Sequence, residues 1–211
     1  MSVRRRLIAI FVVFVAVSTY ELFFAVPPGP RSLRVFDADR MADLEIDMWQ
    51  AYYRRENVRL FADLVTSLHE QNRYPWSRAA LAGFYLARAA ARFASMRSDY
   101  DRVLPDLERA YTIAKNWTRT SFDPLAVARA ELAWWVARRL PGHDSAEQVG
   151  ALIADENALL YEVPRARVLD AATLRARAAK LRDDGGDHAD WPAVSALLHE
   201  SYRGLARAIA Y

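Results

Sequence analysis

The chain has 211 residues, with 29 basic against 26 acidic side chains, a net charge of +3 and no cysteine. That length suits one core-forming domain beside a shorter segment, and the missing cysteines exclude disulfides, thiolate nucleophiles and Cys-ligated zinc or iron–sulfur sites. The charge excess is local: without Arg4, Arg5, Arg6 and Glu21 the remainder stands near +1, which argues against a nucleic-acid partner.

The three arginines lead straight into LIAIFVVFVAVSTYELFFAV, which starts at Leu7 and ends with Val26. At about 1.5 Å rise per residue this stretch matches a hydrocarbon core about 30 Å thick. Residues 7–26 are therefore expected to be a single-pass transmembrane signal-anchor seated in the lipid bilayer. Residues 1–6 form its cytosolic basic flank, and the rest lies outside the cytoplasm, in the periplasm if the cell is Gram-negative. A cleaved signal peptide is the other reading. Its best site, Ala16-Val17-Ser18, cuts inside the apolar stretch and leaves Leu22, Phe23 and Phe24 near the new terminus. Residues 27–36, opening on Pro27-Pro28-Gly29-Pro30, read as a rigid linker.

Residues 37–211 read as an all-helical domain, because apolar residues recur at helical spacing almost throughout and only seven glycines occur in the chain. A first outer helix is expected from Asp37 as N-cap to about Asn72. A second opens on Pro75 and reaches about Met96, and a third covers residues 101–117. Asp123-Pro124 opens a fourth, broken at Pro141-Gly142. Ser145 with Gln148 forms a capping-box pattern for a fifth. A sixth spans about residues 165–184, stopped by Gly185-Gly186, and Asp190 caps a seventh that reaches Ile209.

The last six of these helices pair as three hairpins, with a weak repeat of about 45 residues, the signature of a helical array. Residues 99–114, with Asp99-Tyr100 and then Leu107-Glu108-Arg109-Ala110, resemble the second helix of a tetratricopeptide repeat. The usual 34-residue period and the full first-helix pattern are absent, so the expectation is a tetratricopeptide-like hairpin array, with a compact helical bundle as the alternative. The resemblance implies that the first helix of each hairpin lines a concave groove.

Glu131, Trp134, Trp135 and Arg138 stand at i, i+3, i+4 and i+7 on the fourth helix. In such a groove the tryptophans supply buried area and the charges supply orientation for a partner peptide or helix. Glu45, Trp49, Tyr52 and Tyr53 make a similar stripe near the anchor. Packing in the core is the competing reading of both stripes.

The sharpest enzyme reading is a carboxylate-lined metal or cofactor site, with Glu45, Glu131 and the Asp155-Glu156 pair meeting from three helices. The Glu-x-x-His ligand pattern of di-iron bundles is missing, and neither His69-Glu70 nor His199-Glu200 completes a zinc signature. No Gly-x-Ser-x-Gly elbow occurs, and the acidic loop at residues 183–190 reads as helix caps. No catalytic residue, cofactor or metal ligand is therefore assigned. The expected function is a membrane-anchored helical-repeat protein that scaffolds another membrane or periplasmic protein at the outer face of the membrane. An enzyme with the carboxylate site is the alternative.

Overall fold

The computed structural model describes residues 3–210, with the side chains of residues 3–6 and Ala9 outside the description. Among the described residues the protein is all-α, without strands. The helices are α1 (Val3–Phe23), α2 (Ala38–Tyr53), α3 (Asn57–Glu70), α4 (Trp76–Ser95), α5 (Leu104–Thr118), α6 (Pro124–Ala137), α7 (Ala146–Tyr161), α8 (Arg165–Gly185) and α9 (Trp191–Ile209). Short 3₁₀ turns precede α5 and follow α8.

Most expected caps form. Asp37 accepts from the backbone N–H groups of Asp39 and Arg40, Asp123 from that of Leu125, Ser145 from that of Gln148, and Asp190 from that of Ala193. The expected first outer helix, by contrast, is two helices. It breaks between Tyr53 and Asn57, where Arg55 adopts φ +59°. No glycine or proline marks this turn. Arg119 and Glu162 end α5 and α7 in the same left-handed conformation, a role more often given to glycine.

Each helix from α2 to α9 packs on its successor, and α9 packs back on α2. The domain is thus a closed ring of antiparallel neighbours, not the expected open array with a concave groove. Ring closure follows from extending the stack by one helix: splitting residues 37–72 into α2 and α3 leaves α2 free to meet α9, where Ala42, Ala178, Val194 and Leu198 form a shared core. Alanines at 171, 172, 176, 178 and 179 let α8 approach its neighbours closely. Gly150 serves the same end, since a Cβ there would come within 2.8 Å of the Thr173 Cα.

Asp106, almost fully buried, ties α5 to α4. It accepts two hydrogen bonds from the Arg88 guanidinium, one of them Nε to Oδ2 at 2.9 Å, and one from Arg92 at 3.3 Å. Asp106→Asn is expected to cost about 2 kcal/mol, because Arg88 loses a fork-shaped partner but still reaches water. Urea unfolding should show a lowered midpoint with an unchanged slope.

The ring has two ends. The chain arrives from α1 at the end formed by residues 70–76, 118–124 and 161–165. Residues 27–36 are not a free linker there but a strap laid across that end. Arg73 donates to the carbonyls of Pro28 at 3.0 Å and Val35 at 2.7 Å, and the Arg34 guanidinium donates to the Glu162 carbonyl at 3.2 Å. Arg31 stacks over Trp117 at 3.9 Å.

Among the described residues no helix is long and apolar enough to cross a membrane. The expected span of residues 7–26 includes Ala9, whose side chain lies outside the description, as do those of Arg4, Arg5 and Arg6. The helix ends at Phe23, three residues before the expected limit. Its described side chains are exposed on all faces and mostly apolar, Leu7, Phe11, Phe14 and Val17 among them, with Ser18, Thr19 and Glu21 polar near its end.

Candidate functional site: a carboxylate cavity inside the ring

A cavity of about 120 Å³ lies within the ring, lined by α6, α7, α8 and α9. Glu131 and Trp134 come from α6, Glu156 and Tyr161 from α7, Arg175 from α8 and Tyr202 from α9. Capping and helical phase explain the convergence. Asp123 fixes the start of α6 and Ser145 that of α7, and both helices then turn their carboxylates inward two or three turns later.

Tyr111 of α5 joins the two carboxyl groups. Its hydroxyl lies 2.8 Å from Glu131 Oε2 and 3.0 Å from Glu156 Oε1. A phenol has one proton to donate. Both contacts are hydrogen bonds only if one carboxyl is itself protonated and donates to the phenol oxygen. Glu156 is the better anion, since Trp134 Nε1 donates to its Oε2 at 2.6 Å and the Arg175 charge acts on it more strongly than any other charge nearby. The proton therefore rests on Glu131. Burial, then the Glu156 charge, pushes Glu131 up to about 8. Burial likewise raises Tyr111, Tyr161 and Tyr202 well above the ordinary phenol range.

Arg175 supplies the positive charge of the site. Its guanidinium donates twice to Glu45 Oε1, the Nε contact measuring 3.0 Å, and stacks over Trp134 at 4.8 Å. With Glu131 protonated, Glu45 and Glu156 face one cation, so the site carries one net negative charge.

The two aromatic stripes read from the sequence do not line an exposed groove. Trp134 is buried and forms cavity wall, and Glu131 and Glu45 belong to the cluster just described. Trp135 turns to the other side of α6 and packs on Phe93 at 5.1 Å. Arg138 and Tyr53 close the far end of the ring: Arg138 donates to Asp183 at 2.7 Å and to the Tyr53 hydroxyl at 2.7 Å, and Tyr53 donates to Asp183 at 2.8 Å. Arg138 also lies over the half-buried Trp49 at 5.7 Å. Tyr52 packs at the same end, its hydroxyl 3.4 Å from Arg139, so the residues of each stripe are divided between the interior and the end of the ring.

The metal reading fails on its ligands. Asp155 faces outward to Arg165 at 2.5 Å, Glu45 is taken by Arg175, and among the described residues no three acidic or histidine side chains are placed to hold an ion. Sequence reasoning brought Glu45, Glu131 and Glu156 together but missed Tyr111 and Arg175. One signal pointed to Arg175: it lies on the alanine face of α8, between the buried Ala171, Ala172, Ala176 and Ala179.

No protein-family model matches this chain, and neither does any characterised protein or solved structure. The likeness of residues 99–114 to a tetratricopeptide helix is a local one, carried by part of a 3₁₀ turn and the body of α5.

Proposed function

We propose that this protein is a membrane-tethered binding protein whose helical ring takes a small ammonium-bearing molecule into the carboxylate cavity. The observation that carries the reading is the pair Glu131 and Glu156 on the cavity wall, bridged from behind by Tyr111, with its one surplus negative charge. The aromatic walls Trp134, Tyr161 and Tyr202 favour a cation over a neutral solute. A cavity near 120 Å³ is smaller than the roughly 150 Å³ one that accepts benzene in another protein, which limits the ligand to a few non-hydrogen atoms.

An incoming cation favours the ionised form of Glu131, so binding releases its proton below about pH 8. Ethylammonium, titrated into the full chain in detergent and followed by tryptophan fluorescence, is expected to saturate at millimolar concentration or below. Affinity should rise up to about tenfold per pH unit between pH 6 and 8, and level off above. Ethanol or propanol giving the same response, or a pH-independent affinity, would falsify the reading.

The tether rests on residues 7–26 and on the apolar side chains that α1 exposes on every face, a pattern suited to lipid. Arg4, Arg5 and Arg6 orient it with the ring outside the cytoplasm. A second reading, scaffolding of a partner protein beside the membrane, is favoured by Leu81 and Phe84, each about half exposed on the outer face of α4. Crosslinkers attached there, with partner identification from native membranes, test it.

A further inference from the structure

We infer that residues 28–36 are a lid over the anchor-side mouth of the cavity, latched by Arg73 and plugged by Phe36. The inference rests on the cavity being a binding site and concerns how that site is reached. Four observations carry it.

First, the strap adjoins the cavity wall. Cavity-lining Leu160 and Tyr161 are the last residues of α7, and the next one, Glu162, accepts the hydrogen bond from Arg34. Second, the strap reaches inward. Phe36 packs edge-on against Tyr202, a cavity wall residue, at 6.0 Å, and Leu33 packs on the same apolar cluster as Leu160. Third, the latch is built. Arg73 spans the strap from Pro28 to Val35 and also donates to the Gln71 carbonyl at 3.2 Å, while the Gln71 side chain accepts from the Asp37 N–H at 2.9 Å. One guanidinium thus holds both ends of the strap. Fourth, Gly29 permits the close approach. It has φ +125°, and a Cβ there would stand 2.3 Å from Arg73 Nε.

The strap is continuous with α1. With the latch closed, the backbone between α1 and α2 is held at both ends of the strap and Phe36 stays against Tyr202. With the latch released, Phe36 can leave Tyr202, and the mouth opens on the side facing the anchor. Access to the cavity is thereby linked to how the ring sits relative to its tether.

The absence of native cysteines makes the test direct. Ala172 lines the cavity and Ala89 is buried in the α4–α5 core, away from it. The full chain carrying Ala172→Cys or Ala89→Cys is reacted with methyl methanethiosulfonate, a small neutral thiol reagent, and followed by mass spectrometry. The cysteine at position 172 is expected to react slowly with the latch intact, and at least tenfold faster when Arg73→Ala or Gly29→Ala is added. The cysteine at position 89 should keep its rate. Three results would overturn the lid: equal rates at position 172 with and without the latch, parallel acceleration at both positions, or a latched rate at position 172 equal to that of Val58→Cys on the exposed surface of α3. Protection of position 172 by ethylammonium reports separately on the ligand. Acceleration without protection keeps the lid and discards the ammonium.

Discussion

Replacing Arg175 by methionine is expected to destabilise the full chain by about 3–5 kcal/mol, the usual penalty for stranding one side of a buried ion pair. Glu45 is the residue left behind. It is only 3% exposed, and its carboxylate has the Arg175 guanidinium as its ion-pair partner. Glu156 loses the nearby positive charge in the same step. Methionine fills much of the volume, so the loss reports on charge and not on a cavity. Adding Glu45→Gln to Arg175→Met should recover a large part of the loss, since the stranded charge is gone. Urea unfolding in detergent measures both. A loss under about 1 kcal/mol for the single variant would mean that Glu45 finds water or another donor.

Stability is also expected to fall as pH rises from about 4.5 to about 8. Glu131 holds its proton up to about 8 in the folded protein, against 4.5 for a free glutamate side chain. Between those values the folded state binds a proton that the unfolded state has released. Stability is therefore complete below pH 4.5 as far as this group is concerned. It declines by at most about 1.4 kcal/mol per pH unit and levels off above pH 8, a total of a few kcal/mol. Glu156 is raised as well, mainly by burial, and adds in the same direction. Glu131→Gln removes the titration but keeps a side chain that can donate to Tyr111. It should match the parent near pH 5 and exceed it by a few kcal/mol at pH 9. Unfolding midpoints across that range decide the matter, and a parent profile as flat as that of the variant would place the proton elsewhere.

The two expectations are linked through one arrangement. A single arginine and a single retained proton keep three glutamates tolerable inside a ring of apolar helices. Either can be removed separately, and the ammonium ligand proposed for the cavity would act on the same charge balance.

Helices with strong punctuation were legible in the sequence. Asp123-Pro124, Ser145 with Gln148, and Asp190 each open a helix where capping chemistry says one should open, because these caps act within three or four residues. The turn at Arg54-Arg55 was not legible. It uses a left-handed arginine in place of glycine, and the Tyr52–Tyr53 contacts that support it reach the turn after α6 and the end of α8. The inward faces of α2 and α6 were also legible, since Glu45, Trp49, Glu131 and Trp134 fall on helical stripes. Their partners were not, because Tyr111 and Arg175 lie in segments where several tyrosines and arginines have the same local credentials.

The sequence by itself determined that the domain is helical, where most helices begin, that no disulfide can hold it, and that an apolar stretch stands at one end. Those properties come from local periodicity, capping and composition. Only the tertiary structure decided that α9 returns to α2, that Glu131 and Trp134 face a cavity while Arg138 and Tyr53 meet at the ring's far end, and that residues 27–36 cross the ring as a strap. Each of these depends on contacts between residues far apart in the chain, such as Arg175 with Glu45, or Arg34 with Glu162. Which arginine meets which glutamate is set by the packing of whole helices against one another.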